Sequence, residues 1–427
     1  VPEAEREPNP VKEGCLLGAM ALAAEAAAEA PGAEAHVLLL PRGAVVLGAD
    51  FQALGLIRSL GRRGVPVYVC AAALDVARFS RYSAKYFRLP PGHGEALVEF
   101  LLELATREAL TGWLLVPNDD DQVEFISNHR DELGRFFTLA VPNEQAVRIV
   151  ADKRLTYAFA AEHNVAVPAT WTPRGEDEVA ALDCLFPAII KPARRNPFFR
   201  LTGRKAFRAN NKDELLALYR SLSKTVPADQ LLVQELIPGG PENLYSFAAL
   251  AEEGEVVAWL VANRRRQHPM DFGRATTFAT TVSNPTLEAI GRRLLRLLSF
   301  GGLCEVEFMW DERDGSSKFL EINARIWGWH SLGAEAGVDF SYLLYQRALN
   351  RPVQAAPFKE DTKWVRLLTD LPTVMLELLR GRLGLREALG SYRGLASDAV
   401  YSSDDPVPFF MEILLSPYLL KKKSRGA

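Results

Sequence analysis

Mixed α/β and α+β architecture is what this sequence predicts: a doubly wound parallel sheet first, then a larger α+β body. Three observations carry that expectation. Strand, helix and strand alternate over 36–70, the texture changes near residue 150, and a hairpin of alternating character occupies 304–325. Alternating β and α units read as a parallel sheet with helices on its faces, whereas consecutive strands read as antiparallel pairing.

The 427 residues leave room for two or three domains with at least one substantial core. Hydrophobic residues make up 48% and charged residues 24%, the balance of a soluble globular chain. Fifty basic against 53 acidic side chains give a net charge of −3, which offers no electrostatic case for nucleic acid. Cys15, Cys70, Cys184 and Cys304 show no paired spacing. That argues against a disulfide framework or structural zinc and fits a reducing, cytoplasmic setting.

Taken in order, 1–35 reads as a helical extension. Its Ala-rich run from Cys15 to Ala30 is interrupted by Glu25 and Glu29, which favours an exposed amphipathic helix over a leader. Residues 36–150 form the α/β domain. Leu38 to Leu47 is apolar, Gly48-Ala49-Asp50 opens a helix through Leu60, and Val65 to Cys70 is a second buried strand. Gly48 and Gly55 make no GxGxxG fingerprint, so a nicotinamide cofactor has little support. Trp113 to Val116 is a further strand with Asn118-Asp119-Asp120-Asp121 at its carboxyl end, where open α/β sheets bind ligands. Asp119 or Asp120 could meet a substrate amine, or simply cap a helix.

From 151 to 350 the chain reads as one larger unit. Asp152-Lys153 starts a helix to about His163, and 168–237 is a smaller α/β subdomain. Within it, Phe186 to Pro192 is a buried strand ending in Lys191, an ammonium that needs a cleft or an anion. The loop Ala193 to Lys205 carries Arg194, Arg195, Arg200, Arg204 and Lys205, either a phosphate cradle or a solvated loop. Leu231 to Ile237 is another strand. Arg264-Arg265-Arg266 ends an apolar strand from Val256, suiting either a substrate carboxylate or a charged sheet edge. Trp327 and Trp329 suit a pocket wall or core packing, and His268 and His330 lack metal-like spacing. The final stretch, 351–427, reads as a partly helical extension broken by Pro372 and Pro406. Its tail, Pro408 to Lys423, suits a packed helix with a solvated end or contact with an anionic membrane surface. No run reaches the ~20 apolar residues that a membrane span needs.

The chemistry concentrates in the hairpin. Cys304-Glu305-Val306-Glu307-Phe308-Met309-Trp310 and Phe319-Leu320-Glu321-Ile322-Asn323-Ala324-Arg325 flank a turn-rich Asp311 to Ser317. Reflection about Asp314 sets Glu307 opposite Glu321 and Glu305 opposite Asn323. Alternation puts these four on one face and Val306, Phe308, Leu320 and Ile322 on the other. Like charges directly opposite destabilise a sheet, so a cation belongs between them, and hard oxygen ligands suit magnesium. A solvated hairpin face is the bland alternative.

In this order the motifs resemble the ATP-grasp superfamily over about 150–330, with a preceding α/β domain at 36–150. The texture is most similar to the carboxylate–amine ligase group that includes carbamoyl-phosphate synthase domains and D-aspartate ligase. The resemblance implies a two-lobed ATP-grasp fold behind a pre-ATP-grasp domain, with 168–237 as a lid. It implies that Lys153 and Lys191, with Lys205 from the cationic loop, meet phosphates. Gln234, Glu235 and Ile237 would form the adenine-reading hinge, and Glu242 would hold the ribose. Glu307, Glu321 and Asn323 would bind magnesium (manganese as substitute), and Arg325 would steady the reacting phosphate. Two departures stand out. The phosphate loop has a single glycine, Gly203. Glu305 occupies a position where relatives carry arginine or asparagine, so it would hold the incoming amine or join the metal shell.

The activity implied is an ATP-dependent, ADP-forming ligation of a small-molecule carboxylate to an amine through an acyl phosphate. A homodimer is implied too. The rivals are a kinase-like phosphotransferase on the same scaffold and a nucleotide-binding regulator without turnover.

Overall fold

A computed structural model describes residues 43–424 except 271, 272, 274, 354 and 355. The extension expected over 1–35, with Cys15, lies outside the described residues. Strands β1 (Ala44–Leu47), β2 (Val67–Ala71), β3 (Ser83–Arg88), β4 (Trp113–Pro117) and β5 (Phe137–Leu139) pair parallel throughout, in the order β3-β2-β1-β4-β5. The winding reverses between β1 and β4, so their carboxyl ends flank the crevice where such sheets take ligands. Gly48 follows β1 there. A Cβ on it would lie 2.5 Å from the Asn118 amide, so the two strand ends approach this closely only with glycine. Aspartates start the helices at both ends. Asp50 accepts the Gln52 and Ala53 amides ahead of the helix Phe51–Gly61. Asp119 forms a reciprocal cap with Gln122 ahead of the helix Asp120–Asn128.

The helix Lys153–Glu162 begins at a third capping aspartate, Asp152. The amide of Lys153 donates to the Ala193 carbonyl at 3.0 Å, fastening this helix to the second sheet. That sheet holds β6 (Thr170–Trp171), β7 (Ala188–Pro192), β8 (Phe207–Ala209) and β9 (Leu231–Glu235), antiparallel, in the order β6-β9-β7-β8. Alternation sorts its faces. Ile190, Leu231 and Val233 pack on Phe198, Leu215 and Tyr219, while Ile189, Lys191, Leu232 and Gln234 take the other side.

The third sheet comprises β10 (Leu244–Glu252), β11 (Glu255–His268), β12 (Ala275–Thr281), β13 (Gly302–Asp311), β14 (Ser316–Asn323), β15 (Lys363–Val365) and β16 (Leu395–Asp398). Its order is β14-β13-β10-β11-β12-β15-β16, antiparallel except for β15 beside β16. The segment after residue 351 therefore supplies two strands to this sheet as well as helices. Two apolar clusters join it to the first sheet. One sets Val46, Leu54 and Ile57 with Leu260, Trp327 and Trp364, the other Leu47, Leu101 and Val123 with Phe247, Phe308 and Phe319.

The structure corrects three expectations. Residues 195–202 form a helix, not a loop. Pro197 sits in the first turn, where no N–H is required, buried Phe198 anchors the helix, and Gly203 ends it at φ 68°. The strand carrying Arg264 to Arg266 is interior, between β10 and β12, so the arginines do not form a sheet edge. Arg266 is instead buried against Asp370 at 2.7 Å. Pro372 lies inside the helix Leu367–Leu379, and the helix continues through it. Burial of Asp370, Thr373, Val374 and Glu377 holds that helix despite one lost backbone bond.

His330 packs against the first helix, where a Cβ on Gly55 would stand 2.7 Å from its ring. Its Nδ1 meets the Trp327 carbonyl at 3.0 Å, and burial pushes its pKa down to about 4. Between pH 6.5 and about 4 the folded ring binds fewer protons than the unfolded one, so stability falls as pH falls through that window. His330→Gln is expected to reduce the loss between pH 7 and 4 by up to about 3 kcal/mol, read from urea unfolding at each pH.

Candidate functional site

Strands β13 and β14 pair Glu305 with Asn323, Val306 with Ile322 and Glu307 with Glu321, the register expected from the sequence. Beyond Glu307 a bulge intervenes, and Phe308 pairs with Phe319. Phe319, not Leu320, therefore takes the apolar face, its ring 6.0 Å from that of Phe308. Leu320 contributes its carbonyl, which accepts the Tyr157 hydroxyl at 2.9 Å.

Cations do lie beside the acidic pair. Arg264 Nη2 is 2.7 Å from Glu305 and 2.5 Å from Glu307, both through Oε1. Lys153 Nζ is 2.7 Å from Glu321 Oε2. The Asn323 amide donates to Glu305 at 3.1 Å and to Glu307 at 2.8 Å. Burial, opposed by Arg264 and reinforced by Glu305 and Glu321, holds the Glu307 carboxyl above its ordinary pKa. Burial works against the Arg264 charge, but Glu305 and Glu307 outweigh it and raise its pKa. Glu305 is the most enclosed acid of the face. It accepts from Arg264, from the Ser246 hydroxyl and Trp329 indole at 2.9 Å each, and from Asn323.

Arg325 reaches the first sheet. Its guanidinium donates to both oxygens of Asp120, at 2.6 and 3.3 Å, and to Asn323 Oδ1 at 3.2 Å. The crevice between β1 and β4 thus opens onto the hairpin. Asp119 beside it is a helix cap whose carboxyl burial pushes up to about 6. The Oδ1 of Asn118, in the same loop, is buried without a hydrogen-bond partner.

On the second sheet Lys191 is buried, with Nζ 2.6 Å from the Tyr157 hydroxyl, and burial lowers its pKa. Tyr157 therefore spans β7 and β14. Gln234 donates to the Thr170 hydroxyl at 2.7 Å. The amide of Glu235 donates to the Ala169 carbonyl, so a base could meet Glu235 only through its carbonyl. The Glu235 side chain accepts the Ala169 amide at 2.7 Å and meets Arg313 of the hairpin turn at 3.0 Å. Ile237 is buried, whereas Glu242 is exposed and accepts the Gly240 amide at 3.2 Å. Lys205 donates to the Gly273 carbonyl at 2.8 Å, and Arg194 pairs with Glu124 at 3.0 Å.

Among the described residues, no three His, Cys, Asp or Glu side chains are grouped to hold a metal ion. The hairpin supplies two carboxylates and an amide. That set is hard and anionic and fits a magnesium ion completing its shell with phosphate oxygens and water. Sequence reasoning missed Tyr157, Ser246 and the specific role of Arg264. Nothing local in the sequence links Tyr157 to Lys191 or Ser246 to Glu305.

Residues 227–370 match the family model described as ATP-grasp in the biosynthetic pathway with Ter operon. The D-aspartate ligase of Enterococcus faecium (strain Aus0004) is 24% identical over 299 residues, 66% of this chain and 70% of that one. The carbamoyl phosphate synthase large chain of Methanothermobacter thermautotrophicus is 23% identical over 191 residues, 43% of this chain and 17% of that one. Among solved structures, the L-amino acid ligase of Bacillus licheniformis superposes with a TM-score of 0.57 at 16% identity, covering 73% of this chain and 75% of that one. The N5-carboxyaminoimidazole synthetase of Staphylococcus aureus complexed with ADP gives 0.61 at 13%, covering 80% and 87%.

Proposed function

We propose that this chain, an ATP-grasp protein by fold and by its match over 227–370, is an ADP-forming ligase joining a small-molecule carboxylate to an amine. The observation that carries the reading is the facing pair Glu307 and Glu321, with Asn323 and Arg325 alongside and Lys153 and Lys191 within reach. Opposed carboxylates cost stability unless cations offset them; Arg264 and Lys153 do so here, and it is the hard oxygen donor set they leave on one face that suits a divalent ion. The ligases it resembles and the ADP complex of one structural neighbour support the same reading.

Magnesium held by Glu307, Glu321 and Asn323 would supply charge neutralisation at the ATP phosphates. The residues of the chain do the rest. Lys153 and Lys191 share phosphate charge, Glu235 and Ile237 offer backbone groups to the base, and Glu242 holds the ribose. A substrate carboxylate oxygen bonds the γ-phosphorus as the bond to the bridging oxygen breaks, releasing ADP. The amine nitrogen then attacks the acyl carbon, the bond from that carbon to the phosphate oxygen breaks, and phosphate leaves as the nitrogen gives up a proton to it or to water. Arg325 supports the transferred phosphoryl group, its planar donors matching phosphate oxygens. Glu305, saturated by four donors, is a positioning residue: it orients Arg264 and Asn323 rather than meeting the amine. Arg264 balances Glu307 before nucleotide arrives and is then available to an incoming carboxylate.

A screen of amino acids and small acids, each with and without added amines, tests this by ADP release. Release that requires both partners supports ligation. Release with an acid or alcohol alone would make it a phosphotransferase, and binding without release would make it a regulator. Lys191→Met bears on the nucleotide assignment. Affinity for MgADP, measured by calorimetry, is expected to fall about 10- to 100-fold with little loss of stability, since a charge-assisted bond contributes roughly 1.5–3 kcal/mol. Unchanged affinity would remove Lys191 from the site.

A further inference from the structure

The helices after residue 366 are amphipathic in reverse. In Leu367–Leu379, the buried side holds Asp370, Thr373, Val374 and Glu377 while Leu371, Met375, Leu376 and Leu379 face out, Leu379 being 83% exposed. A water-facing helix does the opposite. The next helix, Leu385–Ser391, exposes Leu385 and Leu389. The helix Val407–Ser424 buries Glu412 against Arg366 and exposes Phe410, Ile413, Leu414 and Tyr418. Arg366 caps the first of these helices, so its ion pair with Glu412 ties the third to the first.

Charge is sorted the same way. Over 367–419 the acids Asp370, Glu377, Asp405 and Glu412 are buried and Asp398 and Asp404 half-buried, whereas the exposed charges are Arg380, Arg382, Arg386 and Arg393 against Glu387, with Arg380 and Arg382 also reaching back to Glu377. The sequence then adds Lys421-Lys422-Lys423 in the last turn of the final helix.

We infer that this face seats the protein on an anionic membrane surface, its leucines and phenylalanine entering the headgroup boundary and its arginines meeting lipid phosphates and carboxylates. Among the described residues no helix is long and apolar enough to cross a bilayer, so the contact is peripheral. A second copy of the chain suits the face less well, because it would press two cationic rims together.

Co-sedimentation of the whole chain with phosphatidylcholine vesicles, with and without a quarter of phosphatidylserine, tests the inference. Binding is expected to the anionic vesicles only, to weaken in high salt, and to fall about tenfold or more in Leu379→Glu and in Leu414→Glu. Both side chains are exposed, so unchanged melting temperatures would show the variants folded. Absence of vesicle binding, or variants that bind like the parent, would overturn it. So would light scattering showing a dimer that the same substitutions split, which would assign the face to self-association.

Discussion

Glu321→Ala is expected to lower ATP turnover by on the order of 10³-fold, the scale seen when one preorganised electrostatic partner of a transition state is removed. The substitution removes one of two facing carboxylates and the partner of Lys153. Glu307 then stands alone beside Arg264 and Asn323, one oxygen donor too few to fix a divalent ion against phosphate. Stability should hardly move. The pair of Glu321 with Lys153 is partly exposed and contributes no more than about 1 kcal/mol, and losing a like charge opposite Glu307 offsets part of that. The measurement is ADP release under the acid and amine combination that supports the parent, together with a thermal melt. Turnover within a few-fold of the parent would remove the carboxylate pair from the chemistry, whatever the fold.

Asp370→Ala should produce the largest loss of stability, about 3–5 kcal/mol, because it strands a buried arginine. Asp370 is fully buried and accepts from Arg266 twice, at 2.9 and 2.7 Å, from the Thr277 hydroxyl at 2.7 Å and from the Tyr392 hydroxyl at 2.5 Å. The Arg266 guanidinium also lies 4.3 Å above the Phe278 ring. Without Asp370 that cation sits between sheet and helix with Ser391, among the described residues, left as its hydrogen-bond acceptor. Urea midpoints for Asp370→Ala and for the double variant Asp370→Leu with Arg266→Met give the comparison. The double variant should be the more stable of the two, since it leaves no charge unpaired. A single variant that loses less than about 1 kcal/mol would show that water reaches Arg266.

Local chemistry was legible in the sequence wherever a residue acts on its own neighbours. Asp50, Asp119 and Asp152 cap helices within three residues of themselves, and the hairpin register follows from period two and a turn of the right composition. The bulge after Glu307 was not legible, because both Leu320 and Phe319 are apolar and the choice between them is made by Phe308 across the strand. The helix at 195–202 was hidden by its cations, which mask the buried anchor Phe198. Pairings such as Arg325 with Asp120, or Arg266 with Asp370, join segments 205 and 104 residues apart, and no local pattern announces them. The five-stranded parallel sheet was anticipated from its strand–helix–strand opening, since alternation of those elements leaves few other topologies.

Arg313 sits at the tip of the hairpin, bound to Asp311 at its base and to Glu235 on the neighbouring sheet. Surface turns usually drift in length during evolution at small cost. This one spans a fixed distance, so a residue gained or lost between Asp311 and Ser316 would carry the guanidinium off Glu235. The bridge therefore fixes both the residue count of the turn and the arginine at its tip, while Glu312 beside it is free of that constraint.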